Sequence, residues 1–405
     1  MWAELEDLKE SNEFLNLLLD NINSAVLIAD ENLQIHQFND SFLTLFDSAA
    51  ESVLEASFGE TAGCVNAITE KKSCGQTSHC AQCILRRSLI QTLTDRVPVD
   101  NQPLNRVFYI KGKPIQKHLR FSTRMILYQG RKMFLIIIYD VTDIEQQKIE
   151  LINKQKQLDR DLESAAAIQQ SLLPARSPII DNIRIAWKFE PCEQIGGDIF
   201  NIHHMDEGKV GLYMLDVCGH GVPAALISVA VSQFLNSGDG LLGNNCELVS
   251  PDIVLDKLDR AFPFERFDSF FSIICMTIDL HQGLLTYSCA GHPPPVLARP
   301  DGALQILDHR GPSIGFGGEN PIGQQTIQLQ TGDKILLYTD GLLESRNTKE
   351  KFYGKSRFYD VLKKHHHDPI QTMVDAVYAN LNEFRQQTKP DDDISILGVE
   401  YCDQA

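Results

Sequence analysis

The sequence predicts an α+β protein in which two globular parts are joined by a long helix. In both parts, runs of strand-forming residues follow one another directly, which favours antiparallel sheets over a doubly wound parallel sheet. Between the parts, residues 142–173 contain neither glycine nor proline, and helix-forming residues dominate there. With 405 residues, the chain is also too long for one small core, so we expect two or three domains.

The composition is that of a globular protein with an acidic surface. Charged residues make up 22% of the chain and the net charge is −17, which argues against a nucleic-acid partner because phosphates require a basic face. The most apolar run, residues 133–139, is too short to span a bilayer, and residues 1–10 lack a signal-peptide pattern. We therefore expect a cytoplasmic protein with no membrane partner, whose ten cysteines stay reduced or bind metal.

Residues 1–22 show a heptad pattern of apolar side chains. The spacing alternates between three and four residues along Leu5, Leu8, Asn12, Leu15, Leu19 and Ile22. A buried asparagine in such a seam favours a parallel dimer, because two amides can bond to each other across it. The alternative is an amphipathic helix packed on its own domain. We favour a dimerisation helix and hence a homodimer.

The sequence of residues 23–141 predicts a domain built on strands. An alternating apolar segment, a turn and a second strand open it, and Leu119, Phe121, Met125 and Leu127 share one face of a later strand. The segments "LLDNINSAVLIADENLQIHQFNDSF" and "YDVTDIE" resemble the opening strands and the exit of a PAS domain. This resemblance covers about residues 15–143 and implies a PAS-like sensor.

A cysteine-rich insert occupies residues 63–87 of this domain. Its four cysteines are Cys64, Cys74, Cys80 and Cys83. Only the last two have the two-residue gap of a metal-binding knuckle, whereas a zinc ribbon has two such knuckles. Two interpretations stay open, a bound metal (zinc or an iron–sulfur cluster) and four free thiols. We favour the metal, as an input to the sensor.

The sequence of residues 142–173 predicts a linker helix in which one of the two seam positions of each heptad is apolar and the other is mostly polar. The apolar positions are Ile144, Leu151, Leu158, Ala165 and Leu172, whereas the companion positions are mostly polar and include Lys148, Gln155 and Gln169. A weak coiled coil of this kind suits an element with two arrangements of similar energy. The alternative is a plain spacer helix.

Aspartates stand at four places in residues 174–402 where an apolar run meets a glycine or another aspartate. They are Asp198 in "IGGDIF", Asp216 in "LYMLDVCGHG", Asp340 in "LLYTDGLLES" and the three residues 391–393 in "KPDDDISIL". Singly, each is an ordinary turn residue. Together, at the ends of neighbouring strands, they would repel one another unless cations neutralised them. Their oxygen ligands favour Mg²⁺ or Mn²⁺.

The segment "LDVCGHGVPAALIS" contains the other parts of a hydrolytic site. Gly219 and Gly221 permit close approach of the backbone to a ligand, and Pro223 begins a helix whose N-terminal amides favour phosphate. Two metal ions about 4 Å apart would lower the pKa of a bridging water and direct it at phosphorus. His220 is a candidate acid for the leaving group.

This half of the chain resembles the PPM protein phosphatases, in particular their bacterial SpoIIE-like branch. Between about residues 168 and 400, the family's segments occur in order as "IQQSLLP", "GGDIF", "LDVCGHGVPAAL", "AGHPPPVL", "GPSIG", "LYTDGLLESRN", "FYGKSRF" and "DDDISIL". The resemblance implies a β-sandwich flanked by helices, with two Mn²⁺ or Mg²⁺ ions at one end. It also implies a protein serine/threonine phosphatase, acting in this branch on a phosphorylated anti-sigma-factor antagonist.

The resemblance also implies individual roles. The expected metal ligands are Asp198 (directly or through water), Asp216, the Val217 carbonyl, Asp340 and Asp392, with Asp393 competing for the last place because the register within three aspartates is open. Asp216 and His220 are the expected catalytic residues. Asn201 departs from the family, where many members have a second aspartate, and no counterpart of the phosphate-binding arginine of the better known branch is found.

The function and two further residues have alternative interpretations. A Gly-Gly-Asp turn also occurs in diguanylate cyclases, but Ile199 stands where that class has an acidic residue. A non-catalytic scaffold with a phosphatase fold is the stronger rival. His292 could face the site or cap a turn before three prolines, and Cys218 is expected to be a small filler.

Overall fold

The computed structural model describes residues 19, 21–128, 130–174, 180, 182–205, 208–237, 240–241, 249–317, 322–386 and 388–402. The predicted dimerisation helix lies almost entirely outside the described residues. The chain divides into two compact units, Met1–Lys156 and Gln157–Ala405. This division falls within one long helix.

A five-stranded antiparallel sheet forms the first unit. Its strands, in the spatial order β2-β1-β5-β4-β3, are β1 (Ala25–Ala29), β2 (Ile35–Phe38), β3 (Val99–Ile110), β4 (Lys113–Tyr128) and β5 (Arg131–Asp140). Leu119 and Phe121 of β4 are buried as predicted. Leu127 is 78% exposed, however, since it lies near the end of a long hairpin that extends past the core.

Short helices fill the connection between β2 and β3. They are α1 (Asp40–Phe46), α2 (Phe58–Thr61), α3 (Val65–Glu70) and α4 (Ile84–Asp95), with 3₁₀ turns at Ala50–Ser52 and Cys80–Gln82. Phe42 and Phe46 of α1 pack with Phe58 and Phe108 in the core of this unit. The cysteine-rich insert therefore begins just after α2 and ends in the first turn of α4.

The long helix α5 (Thr142–Ser171) follows β5 directly. Asp140 fixes its start, because this carboxylate accepts hydrogen bonds from the Thr142 N–H (3.0 Å) and the Lys117 ammonium (2.6 Å). Ile144, Leu151 and Leu158 of the predicted seam are each more than half exposed. One copy of the chain thus leaves these apolar positions in contact with solvent.

The second unit contains two five-stranded antiparallel sheets. One has the order β13-β10-β9-β8-β7 and the other β12-β11-β14-β15-β6. The strands are β6 (Ile183–Glu190), β7 (Ile199–Met205), β8 (Lys209–Val217), β9 (Phe271–Asp279), β10 (Leu284–Ala290), β11 (Val296–Ala298), β12 (Leu304–Ile306), β13 (Gln325–Gln328), β14 (Lys334–Tyr338) and β15 (Ile394–Tyr401). Apolar side chains of both sheets share one core, so the predicted sandwich is confirmed.

Helices cover the outer faces of this sandwich. They are α6 (Val222–Leu235), α7 (Pro251–Ala261), α8 (Phe264–Phe267), α9 (Asp340–Glu344), α10 (Gly354–Lys364) and α11 (Ile370–Arg385). The helix α7 packs on β9 and β10, whereas α11 packs on β6 and β15. Among the helices of the described ranges, none has the length and apolar character required to cross a membrane.

Candidate active site

Aspartates from three strand ends line one cavity of the second unit. Asp216 lies near the end of β8, Asp340 follows β14 as the first residue of α9, and Asp392 precedes β15. All three line a cavity of about 430 Å³, together with Val217. Antiparallel neighbours in a sheet normally alternate their ends, so the convergence depends on strands from both sheets of the sandwich.

Asp198 lies beneath this cavity and is 1% exposed. Its Oδ2 accepts hydrogen bonds from the hydroxyls of Thr339 (2.8 Å) and Ser395 (2.7 Å). Its Oδ1 is buried and has no hydrogen-bond partner. An unpartnered buried carboxylate oxygen is costly, and a cation is the partner that would satisfy it.

Burial and mutual repulsion raise the pKa values of these carboxyls. Burial, followed by the charges of Asp340, Asp392 and Asp393, raises the pKa of Asp216 to about 8. Burial, followed by the charges of Asp216 and Asp393, also raises the pKa of Asp198 well above its usual range. A cluster of this kind gains most from a bound cation, because the cation removes both causes of the shift.

The three consecutive aspartates have different surroundings. Asp391 is exposed and faces Arg346 at 3.8 Å, outside the cavity. Asp393 is buried, and its carboxylate accepts hydrogen bonds from the N–H groups of Cys192 (2.8 Å) and Gly197 (2.6 Å). Asp392 alone of the three lines the cavity. The geometry thus separates a cavity residue from a residue that braces the loop before β7.

Glycines allow the loops around these aspartates to pack closely. A Cβ at Gly196 would collide with the Asp393 carboxylate, and one at Gly197 would lie 2.9 Å from the Val217 carbonyl oxygen. A Cβ at Gly341 would collide with the Asp393 carbonyl oxygen. The Gly-Gly-Asp and Asp-Gly sequences are therefore explained by steric contact between the loops.

The two predicted histidines occupy different environments. His220 is exposed at the helix α6 end of the site, and its Nδ1 lies 3.0 Å from Glu193. His292 is fully buried and pairs through Nδ1 with the Ser272 hydroxyl (2.9 Å), and burial lowers its pKa to about 3. Since Ser272 lines the cavity, His292 supports the wall as a neutral ring.

Two cationic side chains of the cavity were not predicted from the sequence. Arg310 and Lys355 both line it, one from the segment after β12 and the other from the first turn of α10. Arg310 also pairs through Nε with Asp308 at 2.6 Å. The sequence signal was weak, because each is a single basic residue in a polar stretch.

A buried glutamine connects the end of α5 to the loop that carries Asp198. Gln169 Nε2 donates to the Gly196 carbonyl (2.6 Å), and the Gly196 N–H donates back to Gln169 Oε1 (3.2 Å). Nearby, Asn201 Nδ2 donates to the Leu172 carbonyl at 2.9 Å. Gln169, a polar position of the predicted seam, and Asn201, a departure from the family pattern, thus hold the helix end against the site.

The aspartates of the cavity provide an all-oxygen donor set. Within the described ranges, no three His, Cys, Asp or Glu side chains already surround a point where one ion would sit. Metal binding therefore requires rotation of these side chains toward a common point. The unpartnered Asp198 oxygen and the oxygen chemistry both fit Mg²⁺ or Mn²⁺.

Two family models match the chain. Residues 206–401 match Stage II sporulation protein E (SpoIIE), and residues 13–79 match the PAS domain. Taken with the sandwich and its aspartate cavity, these matches define a SpoIIE-type PPM phosphatase domain that follows an N-terminal PAS domain.

Known relatives share the same region. The chain is 26% identical over 245 residues to phosphoserine phosphatase RsbP of Bacillus subtilis (strain 168), covering 59% of this chain and 57% of that one. It is 26% identical over 241 residues to phosphoserine phosphatase RsbU of the same organism, covering 59% and 69%. The match thus spans little more than half of RsbP.

A solved structure has the same fold as the second unit. The SiaA-PP2C domain of Pseudomonas aeruginosa superposes with a TM-score of 0.53 and 25% identity. The superposition covers 61% of this chain and 98% of that domain. The predicted PPM fold is therefore confirmed.

Proposed function

We propose that this protein is a metal-dependent protein serine/threonine phosphatase. The observation that carries the proposal is the convergence of Asp216, Asp340 and Asp392 at one cavity, next to the buried Asp198. One carboxylate oxygen of Asp198 is buried without a partner. The relatives RsbP and RsbU, both called phosphoserine phosphatases, support it.

The ligands that we propose for two Mn²⁺ or Mg²⁺ ions are cavity residues and their immediate support. They are Asp198, Asp216, the Val217 carbonyl, Asp340 and Asp392, while Asp393 fixes the loop of Asp198. When bound, such ions supply a water of lowered pKa and polarise the phosphoryl oxygens. The carboxylates of the chain hold that charge in place, and the glycines at 196, 197 and 341 let them approach.

Arg310 and Lys355 are the side chains that we propose for the substrate phosphate. They bring positive charge to a cavity whose other charged lining residues are Asp216, Asp340, Glu344 and Asp392. Without such groups, a phosphate dianion would face only carboxylates and bound ions. An arginine can hold two phosphoryl oxygens at once, whereas a lysine acts as a point charge.

His220 is the group that we propose for protonating the serine or threonine oxygen as it leaves. Glu193 pairs with Nδ1, and this contact orients the ring. The cavity lining does not include His220. A proton from this ring would therefore reach the leaving oxygen at the rim, directly or through water.

The proposed substrate is phosphoserine or phosphothreonine on a partner protein in the cytoplasm. By resemblance to the SpoIIE-like branch, we propose an anti-sigma-factor antagonist as that partner. A cavity of about 430 Å³ has room for a side chain presented on a protein surface.

Regulation by the PAS domain is the other part of the proposal. The helix α5 runs from the end of β5, in the first unit, to Gln169, which bonds to the loop of Asp198. Its exposed apolar seam, together with the heptads of residues 1–22, supports a homodimer in which the seams of two copies meet. Zinc or an iron–sulfur cluster on Cys64, Cys74, Cys80 and Cys83 is the proposed input.

The central test is release of phosphate from a phosphoserine protein with and without Mn²⁺. We expect turnover that depends on Mn²⁺ or Mg²⁺ and stops on adding a chelator, because the carboxylates repel substrate phosphate when no cation is bound. Phosphorylated antagonist proteins and p-nitrophenyl phosphate serve as substrates. Binding of the phosphoprotein without any turnover would instead establish the rival, a non-catalytic scaffold.

A second test concerns phosphate binding. Arg310→Gln is expected to raise KM for the phosphoprotein by about 10- to 100-fold, with a smaller change in kcat, because it removes a charge-assisted contact worth roughly 1.5–3 kcal/mol. Steady-state kinetics and the inhibition constant of inorganic phosphate measure this. Lys349→Gln removes a charge from an exposed position outside the cavity and serves as the control. Equal kinetics of the two variants would contradict the assignment.

A further inference from the structure

A small cavity in the first unit is lined by all four cysteines of the insert. Cys64, Cys74, Cys80 and Cys83 meet there although 19 residues separate the first from the last. The cavity has a volume of about 20 Å³, room for one water molecule or one ion. Its remaining walls are mostly apolar, with Leu33, Phe58, Leu85, Leu104 and Phe108 among them.

Hydrogen-bond donors of the surrounding chain point at the sulfur atoms. Arg106 Nη1 lies 3.4 Å from Cys64 Sγ and 3.8 Å from Cys83 Sγ, so one guanidinium contacts both. The Gly75 N–H donates to Cys80 Sγ at 3.1 Å. Donors of this kind stabilise thiolates, which are the metal-binding form of cysteine.

Close packing around Cys74 completes the arrangement. A Cβ at Gly59 would lie 2.8 Å from Cys74 Sγ, so only glycine lets α2 approach this thiol without displacing it. Arg86 lines the same cavity beside Cys74. Apart from the four cysteines, the lining contains no side chain that commonly binds metal, because His79 instead pairs with Ser78 and Glu70.

We infer that the four cysteines bind a single thiophilic ion of the zinc class inside the PAS domain. Four thiolates around one divalent ion carry a net charge of −2, and the two arginines of the cavity balance it. The cavity volume suits one ion rather than an iron–sulfur core, which is several times larger. Binding requires the thiols to rotate inward about their Cα–Cβ bonds, since they do not yet surround a common point.

This centre lies in a different unit from the aspartate cavity, and it ties the insert to the core of the PAS domain. Cys64 pairs through its backbone with Phe108 of β3, and Cys83 is the residue before α4. An ion held by both would link β3, α4 and the loop between them. Loss or oxidation of the thiols would release these elements together, which gives the PAS domain a thiol-dependent state.

The experiment measures metal in the full-length protein purified without added metal, by elemental analysis together with a visible absorption spectrum. We expect about one zinc per chain and no visible absorption. Cys80→Ser and Cys83→Ser should lose most of this zinc, whereas Cys83→His should retain it because histidine is also a zinc ligand. Cys402→Ser, a partly buried thiol of the second unit, is the matched control and should retain it.

The placement of the ion is checked with Asp216→Asn, which should keep its zinc even when phosphatase activity is lost. Loss of zinc from this variant would show that the zinc lies in the aspartate cavity, and would overturn the inference. Metal-free protein with four rapidly titratable thiols in the insert would also overturn it. Iron with acid-labile sulfide and a visible absorption spectrum would show that the cysteines hold an iron–sulfur cluster, and would overturn the single-ion inference. None of these readouts depends on phosphatase activity.

Discussion

Asp216→Asn is expected to lower Mn²⁺-dependent phosphate release by about 10³-fold or more. Asp216 lies between Asp198 and Asp340 at the cavity, and a neutral amide neither attracts a cation as strongly nor orients it in the same way. Loss of several kcal/mol of metal-dependent stabilisation corresponds to that factor. The measurement is kcat/KM on a phosphoserine protein across a range of Mn²⁺ concentrations.

The same variant should stabilise the metal-free protein. The pKa of Asp216 is raised to about 8 from an ordinary value of 3.8, so the folded state holds a proton that the unfolded state has released. Stability from this group is therefore greatest at low pH and falls as pH rises from about 4 to about 8. Asparagine does not titrate, so the variant lacks this loss of stability. We therefore expect the variant to have a higher melting temperature than the wild type at pH 8 in the presence of a chelator.

Asp391→Asn is the matched control for both measurements. Asp391 belongs to the same run of aspartates but is exposed and faces Arg346 outside the cavity. The activity and the melting temperature of this variant should stay close to those of the wild type. Equal losses in the Asp216 and Asp391 variants would contradict the assignment of the cavity as the metal site.

Gln169→Leu is expected to reduce turnover at least about tenfold. The variant leaves the N–H and the carbonyl of Gly196 buried without partners, at a cost of about 1–3 kcal/mol for each. The loop of Asp198 should relax away from its position, so a higher Mn²⁺ concentration should be needed for half-maximal activity. Kinetics at several Mn²⁺ concentrations separate this effect from a plain loss of folded protein.

Gln170→Leu provides the comparison, because the neighbouring side chain is exposed. It makes the same chemical change on the same helix without touching Gly196. If the two variants respond alike to Mn²⁺, the contact between α5 and the loop has no part in positioning the site. A specific loss in Gln169→Leu would support α5 as the element through which the PAS domain acts.

The local pattern of the sequence was sufficient to predict most of the secondary structure. The runs that became β6, β8, β9, β10, β14 and β15 are apolar and bounded by turns, and periodicity of this kind depends only on neighbouring residues. Short strands such as β11 and β12, with three residues each, carry too little pattern to be recognised. The sequence predicted antiparallel sheets but not the order of the strands in them, because strand pairing depends on contacts between residues far apart in sequence.

The candidate site was partly visible in the sequence. The Asp-Gly and Gly-Gly-Asp motifs marked the aspartates, since each motif is a local feature of a strand end. Their individual roles were not visible, because Asp391, Asp392 and Asp393 have the same chemistry and differ only in what surrounds them. Burial separates Asp393 from the other two, and only Asp392 lines the cavity. Both differences are properties of the packed chain.

By itself, the sequence determined the antiparallel α+β class, the long helix and the set of acidic residues that a phosphatase site would need. Only the tertiary structure decided that His292 is a buried neutral support, that Arg310 and Lys355 face the cavity, and that Gln169 bonds to Gly196. The physical reason is distance along the chain. Periodicity and turn chemistry act over a few residues, whereas these contacts join segments that only the folded sandwich brings together.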